Sequence, residues 1–120
     1  MPQRDPGVYR EDIEHYAGSA IRFTSGISLE QYLVDEKTQA AVERVLEICG
    51  EAMSNLYKVA PDIAAGIPHA RNIVGFRNIL AHGYAELDHN KVYDIAVRYA
   101  PDLLAATREQ LKLFPDPSAP

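Results

Sequence analysis

The stretch Asp35-Glu-Lys-Thr-Gln-Ala-Ala-Val42-Glu-Arg-Val-Leu46-Glu-Ile-Cys49-Gly-Glu-Ala-Met53-Ser-Asn-Leu56-Tyr-Lys58 decides the fold class. Val42, Val45, Leu46, Cys49, Met53 and Leu56 return at helical spacing, while Glu43, Glu47, Glu51 and Lys58 fall elsewhere. That is one long helix with a single buried stripe. Asp35 can accept hydrogen bonds from the free amides of the first turn, so the helix is predicted to start there and run through about Lys58. It reads as the central core element. Cys49 lies on the apolar stripe with no evident cationic neighbour to stabilise a thiolate, which makes it a small buried hydrophobe rather than a nucleophile.

Working outward, Tyr9, Ile13, Tyr16, Ala17, Ala20 and Phe23 recur at three- and four-residue steps and predict a first helix that ends at Ser25-Gly26. A short second helix follows, with Ser28 as N-cap, Glu30 in its first turn, and Leu29, Tyr32, Leu33 and Val34 as its apolar residues. Beyond the central helix, Ala60-Pro61 and Gly66-Ile67-Pro68 bracket a loop. Pro68 suits the first position of a fourth helix that runs to His82 and stops at Gly83. After a loop from Tyr84 to Asp88, a fifth segment begins near His89 with Val92, Ile95, Ala96 and Tyr99. Pro101 breaks or kinks it before Leu103, Leu104, Leu111 and Phe114 resume the pattern. No segment alternates with period two, and no internal repeat is visible, so the fold class is all-α: an antiparallel bundle of about four to five helices. Residues 1–7 read as a flexible lead-in, 8–114 as the helical domain, and 115–120, with Pro115, Pro117 and Pro120, as a disordered tail.

A chain of 120 residues with 47% hydrophobic content can bury one core but not two. Its net charge of -5 argues against coating DNA or RNA non-specifically, which rests on many Lys and Arg contacts to phosphate, so no DNA partner is expected. A single cysteine cannot form an internal disulfide, and no Cys/His cluster has zinc spacing. No run approaches the roughly 20 apolar residues of a membrane span, and the N-terminus lacks a signal-peptide core. A cytoplasmic protein with no membrane partner, no metal and no cofactor is therefore expected.

The charge is unevenly spread. From Ile63 to Ala85 there is no Asp or Glu, although the chain holds 17 acids against 12 Lys plus Arg. Inside that window stand Arg77, Asn78, His82 and Tyr84. A cation, an imidazole and a phenol at one helix end are the parts of an anion-handling site. At about 100 degrees per residue, Arg71, Gly75, Asn78 and His82 share one polar stripe, with a glycine in its middle that another helix or a ligand could approach closely. Arg77 is displaced among Ile73, Val74, Leu80 and Ala81. It either packs its stem and pairs with a carboxylate of the bundle, or reaches a polar cleft shared by two copies. Arg77 and His82 lie about 140 degrees apart around an ideal helix, so converging needs side-chain reach, a distorted last turn or a two-fold partner. His82 is either a plain helix cap or part of the site. His15 and His89 read as exposed helix-end residues, and His69 as a first-turn residue.

The run Arg77-Asn78-Ile-Leu-Ala-His82-Gly-Tyr84 resembles the HEPN superfamily, specifically the HepT-like toxins of prokaryotic toxin-antitoxin pairs. The similarity extends to residues 35–42, 46–52 and 74–78, and covers roughly residues 10–112. The resemblance implies a HEPN-like bundle that forms a homodimer through the motif helix, making an RNA-cleaving cleft. Arg77 would hold the scissile phosphate, His82 would move protons during attack by the ribose 2′-hydroxyl, and Asn78 would orient the histidine or the phosphate. Such a reaction needs no metal and leaves a cyclic phosphate. The resemblance also implies a cognate MntA-type nucleotidyltransferase antitoxin that transfers AMP from ATP to Tyr84, placing the pair in the type VII class. Arg71 and Gly75 would face the substrate or the second copy. Pro6-Gly7 departs from the family by starting the first helix late. The alternative is a non-catalytic helical partner of a nucleotidyltransferase, in which the same helix serves docking only.

Overall fold

The Asp35 carboxylate accepts from the Thr38 backbone amide at 3.1 Å and from the Thr38 hydroxyl at 2.6 Å, capping a helix over Glu36–Val59. The computed structural model describes residues 5–82 and 87–113. Helix α1 covers Pro6–Thr24, α2 Leu29–Tyr32, α3 Glu36–Val59, α4 Pro61–Ala65, α5 Ala70–His82 and α6 His89–Asp94. A π-helical turn over Ile95–Tyr99 then leads into α7, Ala100–Leu113. The described chain is all-α, as its periodicity requires.

α3 is the hub. It lies against α1 on one side and α5 on the other, and α1 in turn packs on α7. Its stripe residues Val42, Leu46, Cys49, Met53 and Leu56 are fully buried, meeting Ile13 and Ala17 of α1 and Ile73 of α5 in one core. Burying side chains of this size stabilises by about 1.5–3 kcal/mol each before entropy is counted, which is why the long stripe dominates the architecture. Tyr32 closes the α2 end of the core, and Gln39 donates to its backbone carbonyl at 2.9 Å.

Local chemistry explains most of the ends. Ser28 and Gln31 form a reciprocal capping box, at 3.1 Å and 2.9 Å, that sustains even the four-residue α2. Asp88 caps α6 by accepting from Asn90 at 2.9 Å.

Three helix starts differ from the sequence expectation. α1 takes in Pro6 and Gly7, because Asp5 accepts from the Gly7 amide at 2.9 Å and Pro6 fills the first helical position, where no amide is needed. The first helix therefore does not start late. α4 occupies part of the expected loop, again opened by a proline, Pro61. α5 starts at Ala70 rather than Pro68, because His69 adopts a left-handed backbone, φ 64°, that no helix can include.

Pro101 does not interrupt the helical run from α6 through the π-turn into α7. The Ala100 amide donates to the Ile95 carbonyl, one residue further back than in an α-helix, and Pro101 follows directly in α7. The widened turn sits where a proline ring would otherwise press on the preceding turn. The expected stop at Gly83, Tyr84 with the start of its loop, Phe114, the C-terminal tail and residues 1–4 lie outside the described residues. Among the described residues no helix is long and apolar enough to cross a membrane.

Candidate functional site

α5 has a buried side and an exposed side among its described residues. Ile73, Phe76 and Leu80 point inward and are buried, while Arg71, Gly75 and Asn78 of the polar stripe are exposed. His82 is the last residue of this helix, and Tyr84 follows outside the described residues.

Arg77 sits between the two faces, half-buried against α3. Gly50 of α3 is what lets it lie there: a Cβ at Gly50 would come 2.5 Å from the Arg77 Cβ and 2.7 Å from the Ile73 carbonyl oxygen. The guanidinium then reaches Glu51, with one terminal nitrogen 2.6 Å from Oε2, and the other donates to Asn78 Oδ1 at 3.1 Å. Of the two readings the sequence left open for Arg77, packing its stem and pairing with a carboxylate of the bundle is realised within the single chain. A recess of about 370 Å³ opens here, lined by Arg44, Glu47, Ile48, Glu51 and Arg77. Arg44 is paired with Glu47 along α3.

Gly75 is different. Nothing described lies within 4 Å of where its Cβ would be, so among the described residues it is not a close-approach glycine. Gly50 has that role. A larger open groove of about 720 Å³ runs along this side of α5, with Gly75, Phe76 and Ile79 on one wall and Lys91, Arg98 and Tyr99 on the other.

The remaining candidates separate by environment. Cys49 is fully buried and its thiol is pushed up to about 12 by burial, so it is held as an inert core group. His15 is exposed, edge-on to Tyr16. His89 is half-buried rather than exposed, packed edge-to-face on Tyr32 with Nδ1 4.0 Å from Glu43. The Glu43 carboxyl is raised by burial, against the opposing pull of His89.

Sequence reasoning missed two arrangements. The first is Glu51 over Gly50 as the seat of Arg77, for which the available signal was a glycine set in an otherwise strong helix former. The second is His69, which stacks on Tyr99 with centroids 4.2 Å apart and meets Asp102 at 2.9 Å. Its left-handed backbone places the ring there. No local pattern announces that contact.

Residues 13–109 match the family model described as Ribonuclease HepT-like. Two proteins of Methanocaldococcus jannaschii named as candidate RNases are similar to the chain. One is 30% identical over 112 residues, 93% of this chain and 92% of its own length; the other is 31% identical over 105 residues, 86% and 84%. A Thermococcus cleftensis protein named as a candidate ribonuclease HepT is 35% identical over 95 residues, 79% of this chain and 86% of its own length. No solved structure matches the chain at a significant level.

Proposed function

The chain belongs to the Ribonuclease HepT-like family, and from that membership we propose that it is a metal-independent endoribonuclease, the toxin of a type VII toxin-antitoxin pair. The observation that carries the reading is Arg77, held by Glu51 and Asn78 on the helix that ends in His82. A guanidinium fixed at two edges is an oriented donor for a phosphate oxygen.

In the proposed reaction the ribose 2′-oxygen attacks phosphorus, the new 2′-O–P bond forms and the bond to the 5′-oxygen breaks. The 2′-hydroxyl loses its proton and the departing 5′-oxygen gains one, giving a 2′,3′-cyclic phosphate and a 5′-hydroxyl end. His82 moves these protons, Arg77 stabilises the charge that gathers on the phosphoryl oxygens, and Asn78 orients the arginine.

The angular separation of Arg77 and His82 favours a cleft completed by a second copy. Arg71, Gly75 and Asn78 face outward on α5, and Ile79 beside them is 55% exposed, an apolar residue available to such a contact. Tyr84 is the proposed switch. Its phenol oxygen attacks the α-phosphorus of ATP held by a cognate MntA-type nucleotidyltransferase, pyrophosphate leaves, and the attached AMP sets negative charge and bulk beside Arg77 and His82.

The test is RNA cleavage by purified, unmodified protein in EDTA. Arg77→Ala is expected to lower the rate by about 10²–10³-fold and His82→Ala by about 10²–10⁴-fold. Intact wild-type RNA, or variants as active as wild type, would leave the non-catalytic docking reading in its place. Co-expression with the transferase is expected to add AMP mass to wild type and not to Tyr84→Phe.

A further inference from the structure

The window cleared of acids in the sequence is not acid-free in space. α3 brings Glu51 to 2.6 Å from one terminal nitrogen of Arg77, while the other terminal nitrogen donates to Asn78 at 3.1 Å. The base of the stem packs closely over Gly50, where a methyl group would stand 2.5 Å from the Arg77 Cβ. Glu47, the other carboxylate lining the same recess, is engaged by Arg44.

Resting on the ribonuclease reading, we infer that Glu51 is a positioning residue for the reaction: its carboxylate holds the Arg77 guanidinium so that the remaining N–H groups meet the scissile phosphate. A guanidinium carries five donors in a rigid plane, so a carboxylate on one edge fixes the plane and leaves donors for an oxyanion. Donors that are already oriented need no reorganisation as charge develops in the transition state. Stability does not account for the pair. Glu51 is half exposed, and exposed ion pairs contribute little to folding.

The experiment compares wild type, Glu51→Gln, Arg77→Ala and the double variant. Cleavage is measured against RNA concentration, with thermal melts beside it, and the Arg77 Nε–H signal is followed by NMR. Glu51→Gln is expected to lower kcat by about tenfold to a hundredfold with KM within about threefold, at a nearly unchanged melting temperature. The double variant is expected to be no slower than Arg77→Ala alone, because the effect passes through the arginine. Cleavage by Glu51→Gln at or above the wild-type rate overturns the inference. So does a double variant slowed by the full product of the two single effects.

If wild type leaves RNA intact, or Arg77→Ala cleaves as well as wild type, the ribonuclease reading fails instead and the spectra decide the positioning. A restricted Arg77 signal that becomes averaged in Glu51→Gln supports it, and the same signal in both proteins overturns it. If Glu51→Gln does not fold, Glu51→Asp takes its place, keeping the charge but falling one methylene short of the guanidinium.

Discussion

Gly50 and Gly75 both sit inside helices, and what surrounds each decides what a methyl group would do there. At Gly50 the added carbon meets the Arg77 stem at 2.5 Å and the Ile73 carbonyl oxygen at 2.7 Å. A backbone oxygen cannot step aside unless α5 moves, so Gly50→Ala is expected to destabilise by about 1–3 kcal/mol, although alanine is the better helix former. At Gly75 nothing among the described residues lies within 4 Å, and Gly75→Ala is expected to stabilise the free chain by up to about 1 kcal/mol. Urea unfolding of the two variants checks both, and equal shifts of one sign would contradict the packing argument. The sequence exposed Arg77 as an anomaly because its helical neighbours are apolar, but it could not supply the answer. Glu51 and Gly50 belong to another helix, and nothing in the spacing of α3 says which of its turns faces α5.

At the scale of elements, helices with a long stripe were legible and short or tertiary-determined ones were not. α3 follows from its own periodicity and its Asp35 cap, and α2 from the Ser28 cap. A five-residue helix such as α4 is too short to display a period, so Pro61 at its start is its main signal in the sequence. The start of α5 was misplaced for a different reason. Pro68 is locally a good opening residue, but His69 is drawn into a left-handed conformation and stacked on Tyr99. Such stacking is worth about 0.5–1.5 kcal/mol, and the half-exposed contact with Asp102 adds at most about 1 kcal/mol. His69→Ala is therefore expected to cost about 1–2 kcal/mol and Asp102→Asn under about 1 kcal/mol, measured by thermal or urea melts. A larger loss from Asp102→Asn would mean the charge, not the ring, anchors the motif helix to α7.

For the whole molecule, the pH dependence of stability follows from which groups folding perturbs. Asp35 and Asp88 are held below the usual carboxylate range, first by side-chain hydrogen bonds from Thr38 and Asn90. Their contribution is present above the unfolded value of 3.8 and is lost as pH falls through the lower folded one. Glu43, raised mainly by burial, acts in the opposite sense and favours the folded state as it gains a proton. The alkaline side rests partly on Cys49, which the fold seals in the middle of α3. Its thiol ordinarily ionises near 9 and is pushed up to about 12 by burial. Between those values the unfolded chain releases a proton that the folded chain keeps, so stability falls as pH rises. The slope approaches about 1.4 kcal/mol per pH unit from this one group. Buried Tyr32, raised by burial and then by Glu43, adds to the loss at higher pH. Cys49→Ala removes the first contribution while opening a small cavity. It is expected to be less stable than wild type at pH 7.5, with the gap narrowing as pH climbs past 9. Urea unfolding of both proteins across that range measures the difference, and a gap that stays constant would show that the Cys49 thiol reaches solvent without unfolding.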